Sequence, residues 1–200
     1  VPTGQDISGM TFFRTKQSGG FIDVWWLYDD GGLTMLLPYI LSTRNLWSNC
    51  KLRVFALVNR QHEAEVEERN MASLLSKFRI DYQSLTMVTG ITEKPQPNTV
   101  DFFNEVLEGF REENSADPDM CVTDVELGGL QGKTDRQLRL RELLLTNSRD
   151  SKLVVMSLPM PRKGVVSAPL YMAWLEVLTK GMPPFLLVRG NQTSVLTFYS

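Results

Sequence analysis

One histidine and two cysteines in 200 residues leave little room for the chemistry those side chains usually carry. His62 has acidic neighbours in Glu63 and Glu65 but no second histidine, so an H-E-x-x-H zinc site is excluded. A solvated histidine at a helix start is expected instead. Cys50 and Cys121 are too few for a disulfide framework and wrongly spaced for zinc, which points to a reducing, cytosolic setting. Cys50, just ahead of an apolar run, reads as a small buried residue. An excess of one charge is missing too: 21 basic side chains face 23 acidic ones, so no general polyanion-binding surface is expected. No apolar run reaches the eighteen or so residues that a membrane helix needs, and no leader peptide is legible. Neither G-x-G-x-x-G nor G-x-S-x-G occurs, which removes the dinucleotide fingerprint and the hydrolase elbow. The chain begins with Val1 rather than methionine and is expected to be a piece of something longer.

Present are 42% apolar, 22% charged and 10% aromatic residues, the proportions of a chain able to bury a core without staples. Residues 1–20 carry Gly4, Gly9, Gly19 and Gly20 without a sustained period and are expected to be a flexible tail or linker. From Phe21 onward, strand and helix patterns alternate. Buried strands are expected over 21–28, 52–58, 84–89, 152–159 and 185–189, and helices over 33–47, 63–78, about 98–110 and 167–180. Asn98 or Thr99 could cap the third of these helices. Residues 112–132 read as a loose polar loop, after which Asp135 could cap a further helix ending near Asn147. Gly190-Asn191 is expected to turn the chain into a final antiparallel edge strand, Val195 to Tyr199. The fold class is therefore α/β, a three-layer, doubly wound, mostly parallel sheet in strand order 3-2-1-4-5.

Three constellations could carry chemistry. Asp29-Asp30-Gly31-Gly32 follows the first strand, where doubly wound folds place ligands at a helix mouth. Two carboxylates there repel a phosphate unless a cation intervenes, so a tight turn and helix cap is the plainer reading. Arg162 and Lys163 follow the fourth strand and should flank the same crevice. They could hold an anion there or neutralise Asp29 and Asp30; Asp30, Gly31, Arg162 and Lys163 are thus the weak ligand candidates. Gly128 to Thr134 imitates a phosphate loop, but only three residues separate Gly128 from Gly132 and no strand comes just before. No catalytic residue, cofactor site or metal ligand is assigned. The helix 167–180 is apolar around nearly its whole circumference, as is 33–41, and such faces usually meet a partner or lie buried. Tyr171, Trp174, Leu175 and Leu178 are the interface candidates.

Ile22 to Thr34, Met71 to Ile80, Arg136 to Leu140, Val155 to Pro159, Leu170 to Glu176 and Leu187 to Asn191 together resemble the last cytosolic lobe of cation-chloride cotransporters. Val195 to Ser200 is similar to the carboxyl end of those transporters. Asp29-Asp30 and Lys77-Phe78-Arg79 most resemble the sodium-dependent, Na-K-Cl branch. Two segments depart from the family pattern: Ala56-Leu57-Val58, where relatives place a glycine pair, and 112–132. The resemblance implies a non-enzymatic lobe with a fold like that of universal stress proteins, belonging to a symporter of Na⁺, K⁺ and Cl⁻. It further implies partners in a preceding lobe, a membrane domain and a second copy of the chain, at the cytoplasmic side of the plasma membrane. No cofactor is implied for these residues, because nucleotide binding in the family is associated with the preceding lobe. A nucleotide-sensing α/β module is the alternative.

Overall fold

The computed structural model describes residues 11–27, 31–59, 63–114, 120–191 and 193–196. Five strands, β1 (Gly20–Trp25), β2 (Cys50–Leu57), β3 (Ser84–Val88), β4 (Leu153–Ser157) and β5 (Phe185–Val188), form one sheet. Their order is β3-β2-β1-β4-β5 and every neighbouring pair is parallel. The order reverses between β1 and β4, which makes the sheet doubly wound. Between the strands run α1 (Leu33–Ser42), α2 (Ala64–Lys77), α3 (Pro97–Leu107), α4 (Asp124–Ser148) and α5 (Ala168–Thr179).

The twofold period of a strand sorts the core. Ile22 and Val24 of β1 join Met35, Leu52, Val54 and Leu75 beneath α1 and α2. Trp25, with Phe55, Val154 and Met156, faces the other way onto Leu140, Leu144 and Leu178 of α4 and α5. A third cluster, with Phe103, Leu107, Leu138, Leu170 and Trp174, fills the space among α3, α4 and α5. One helix layer therefore covers one face of the sheet. The other face carries α4 and α5, with α3 packed outside them.

On the α4 side, Asp23 sits fully buried opposite its register partner Arg53. Arg53 donates from Nε and Nη2 to the two carboxylate oxygens at 2.7 and 2.6 Å, and its guanidinium lies 4.3 Å from the Phe21 ring centroid. Burial pushes the Asp23 carboxyl above the usual carboxylate range, outweighing the hydrogen bonds from Arg53 and Ser148 that pull it down. Trp25 Nε1 donates to Ser148 Oγ at 2.9 Å, and its ring stacks on Phe55 at 4.8 Å.

Several local expectations are corrected. The loop expected over 112–132 is much shorter, because α4 starts at Asp124. Thr123 caps that helix by accepting from the Glu126 N–H at 3.1 Å, so Asp135 lies inside the helix and caps nothing. Gly128, Gly129 and Gly132 are helical, so no phosphate loop exists there. The cap of α3 is Gln96, followed by Pro97, and neither Asn98 nor Thr99. The free Gln96 N–H donates instead to Glu142 Oε1 of α4 at 2.7 Å. Residues 11–19 are not a loose linker: Phe12 meets Trp47 edge-on at 5.7 Å and Gln17 is buried, while 1–10 lie outside the described residues. Val195 and Leu196 are not in a strand, and 197–200 lie outside the described residues, so every strand described is parallel. Cys50 is buried as expected, and burial raises its thiol.

Candidate functional site

The carboxyl ends of β1 and β4 meet at the switch point, where this fold class gathers ligands. Ser157 closes the two strands from inside, its Oγ accepting from the Leu27 N–H at 3.2 Å and standing 3.3 Å from Thr34 Oγ1. Gly31 and Gly32 turn the chain into α1 with φ of 74° and 89°, in the left-handed region that side chains avoid. The groove they would offer is already filled. A Cβ on Gly31 would lie 2.2 Å from the Thr193 carbonyl oxygen, and one on Gly32 would lie 2.5 Å from Leu196 Cδ1. The Val195 N–H donates to the Gly31 carbonyl at 2.9 Å. Segment 193–196 thus sits where a ligand's phosphate would approach the helix. Asp29, Asp30 and His62 lie outside the described residues.

Arg162 and Lys163 are exposed and form no ion pair among the described residues. Arg162 instead borders a cavity of about 380 Å³ on the α4 side of the β4–α5 loop. Lys133, Arg136 and Gln137 of α4 form one wall, Pro159 to Arg162 another, and Trp174 the floor. Gln137 and Lys133 fall on one helix face because they are four residues apart. Sequence reading missed this wall, having taken Lys133 for part of a loop. Among the described residues no three His, Cys, Asp or Glu side chains gather to hold a metal ion.

The four interface candidates of α5 divide. Trp174 is 3% exposed, with its indole N–H on Thr134 Oγ1 at 3.2 Å, and Leu178 is fully buried against the sheet. Both belong to the chain's own core, which corrects the expectation that they face a partner. The apolar circumference of α5 is met by α3 and α4 on its sides, and the first turns of α4, expected as loop, add Leu127 and Leu130 to that cover. Tyr171 and Leu175 stay half-exposed, and the Tyr171 hydroxyl lies 3.3 Å from Met160 sulfur. The outermost apolar side chain of α5 is Met172, 60% exposed and not among the interface candidates. Met172 and Leu175 border a groove of about 490 Å³ with Val106, Phe110, Met120 and Leu187. Past it runs β5, whose second edge is unpaired among the described residues.

Comparison with known proteins places this geometry in context. The sequence profile of solute carrier family 12 matches residues 4–200. A bumetanide-sensitive sodium-(potassium)-chloride cotransporter of Manduca sexta is 66% identical over 97% of the chain. Solute carrier family 12 member 2 of Squalus acanthias is 49% identical over 94% of the chain, and member 1 of Oryctolagus cuniculus is 47% identical over 97%. The chain spans only 18%, 17% and 19% of those relatives' lengths. Among the described residues no helix is long and apolar enough to cross a membrane.

Proposed function

The chain belongs to solute carrier family 12, and on that premise we propose that it is the cytosolic regulatory and dimerising lobe of an electroneutral Na-K-Cl cotransporter. In this reading the ions are carried by a membrane domain outside this sequence, and the lobe, with residues 21–200 as its body, works without catalysis. It lies at the cytoplasmic side of the plasma membrane and joins a preceding lobe of the same chain and a second copy. Its parent moves sodium, potassium and chloride together and so serves cell volume and chloride balance. One observation carries the proposal. Identity to a relative named as a sodium-(potassium)-chloride cotransporter runs over 97% of a chain in which no described helix can cross a membrane.

The surface we assign to association is the groove beside Met172 and Leu175. It is apolar, it is open, and it continues to the edge of β5 that is unpaired among the described residues, features that mark contact sites on folded domains. A twofold arrangement would use the same patch on both copies. The nucleotide-sensing alternative has less support, since segment 193–196 occupies the glycine turn. Sedimentation velocity on the complete cytosolic region of the parent, wild type against Met172→Glu, tests the assignment. Dissociation with an unchanged circular dichroism spectrum is expected. An unchanged sedimentation coefficient would move the interface elsewhere.

A further inference from the structure

We propose that the cavity between α4 and the β4–α5 loop binds a phosphorylated polyol, a small carbon skeleton carrying two or more phosphates and free hydroxyls. Its walls supply Lys133, Arg136 and Arg162 without any carboxylate among the lining residues. None of the three is in an ion pair among the described residues, although Arg53, Arg69, Arg111, Arg139 and Lys180 all are. Three cations around one concavity repel one another, and a polyanion relieves that repulsion with charge-assisted hydrogen bonds.

Gln137 supplies an independent sign. It lines the same cavity while only 9% exposed, and its Oε1 is buried with no hydrogen-bond partner among the described residues. Buried amide oxygens are nearly always satisfied, so an orphaned one on a residue that lines a cavity marks a missing partner. The amide both donates and accepts, matching a ligand that brings hydroxyls as well as phosphate oxygens. The place is also one where doubly wound folds bind ligands, outside the carboxyl end of β4 and beside the switch point.

Polyol is favoured over nucleotide by what the cavity does not offer. The aromatic ring in its lining is Trp174, which is 3% exposed and engaged with Thr134, so no ring face is open for stacking a base. Pro159, Pro161 and Val165 present aliphatic surface suited to the C–H face of a polyol. About 380 Å³ lies within the range of small-ligand sites.

Calorimetric titration of the 200-residue chain tests the proposal with three probes: inositol trisphosphate, phosphatidylcholine vesicles carrying phosphatidylinositol bisphosphate, and ATP. Saturable one-to-one binding of inositol trisphosphate is expected, weakening as salt rises. Arg136→Ala should weaken it about tenfold or more, the loss of one charge-assisted contact. Gln137→Met should also weaken it while leaving the melting temperature unchanged or higher, because the variant removes an unpaired buried amide oxygen. Binding of the vesicles alone supports the same chemistry with a lipid headgroup as its source. Saturable binding of neither phosphoinositol probe overturns the proposal, as does binding that Arg136→Ala leaves intact. ATP binding as tight as inositol trisphosphate overturns the choice of polyol. A Gln137→Met chain that binds normally but melts lower would assign Gln137 to packing alone and remove it from the site.

Discussion

Replacing Gly31 with alanine should cost far more than a turn glycine usually does, and the excess should come from one short segment. Gly31 has φ of 74°, and an L-residue held in that region loses about 1–2 kcal/mol. The new Cβ would also stand 2.2 Å from the Thr193 carbonyl oxygen and 2.7 Å from its carbonyl carbon, both backbone atoms that cannot rotate away. Segment 193–196 would have to lift, giving up the 2.9 Å bond from Val195 N–H to Gly31, about 1 kcal/mol, and the contact of Leu196 with Gly32. The sum is about 2–4 kcal/mol, or roughly 4–16 °C in melting temperature for a chain of this size. Gly181 is the internal control. Its φ is also 74°, but a Cβ there meets nothing within 4 Å, so Gly181→Ala should lose the conformational part alone. Equilibrium urea melts of both variants are measured in the whole chain and in one truncated before Thr193. The Gly31 cost should fall to the Gly181 cost on truncation. Equal costs in the untruncated chain would mean that the segment is not seated on the glycine turn.

Other outcomes follow from the same contacts. Trp174→Ala should lower stability by about 3–5 kcal/mol, and Leu178→Glu should unfold the chain rather than dissociate it, as circular dichroism beside sedimentation would reveal. Gly128→Ala, in the second turn of α4 with open space around it, should raise stability by about 0.5–1 kcal/mol in a thermal melt. Burial tends to raise the Glu142 carboxyl, but the bonds from Arg139, the Gln96 N–H and Thr99 together bring it below its usual value of 4.5. A lowered folded-state value gives stability that is present above the unfolded value and lost as pH falls through the folded one. Glu142→Gln should therefore destabilise the chain at neutral pH and cost almost nothing in strong acid, as urea melts across that range would show.

Strand order and layers were legible because periodicity speaks directly about burial. Ile22 and Val24 against Asp23 and Trp25 already divide the faces of β1, and the break at Gly31-Gly32 marks the first crossover. Helix α4 was misread because Gly128, Gly129 and Gly132 lower helix propensity over its first turns. The countervailing signal was Thr123 with Glu126, a capping pair three residues apart, and Glu126 Oε1 also accepts from the Ser167 N–H at 2.6 Å. That error propagated. With the first turns of α4 read as loop, Leu130 and Thr134 were not there to cover Trp174, and Lys133 was not placed on one helix with Arg136. The Asp23–Arg53 pair escaped notice because Asp23 sits in a run that is otherwise apolar, and its partner comes from the register between β1 and β2. Seating of segment 193–196 on Gly31 is a long-range contact with no local pattern to announce it.

In the function proposed above, this lobe controls transport through association while carrying no ions itself. Its most direct test is chloride-dependent rubidium uptake by the parent cotransporter in cells, with chemical cross-linking of the same samples, for wild type, Met172→Glu and Leu175→Glu. Both variants should reach the cell surface, lose the cross-linked dimer and change uptake together. Full cross-linking with unaltered uptake in both would contradict the claim.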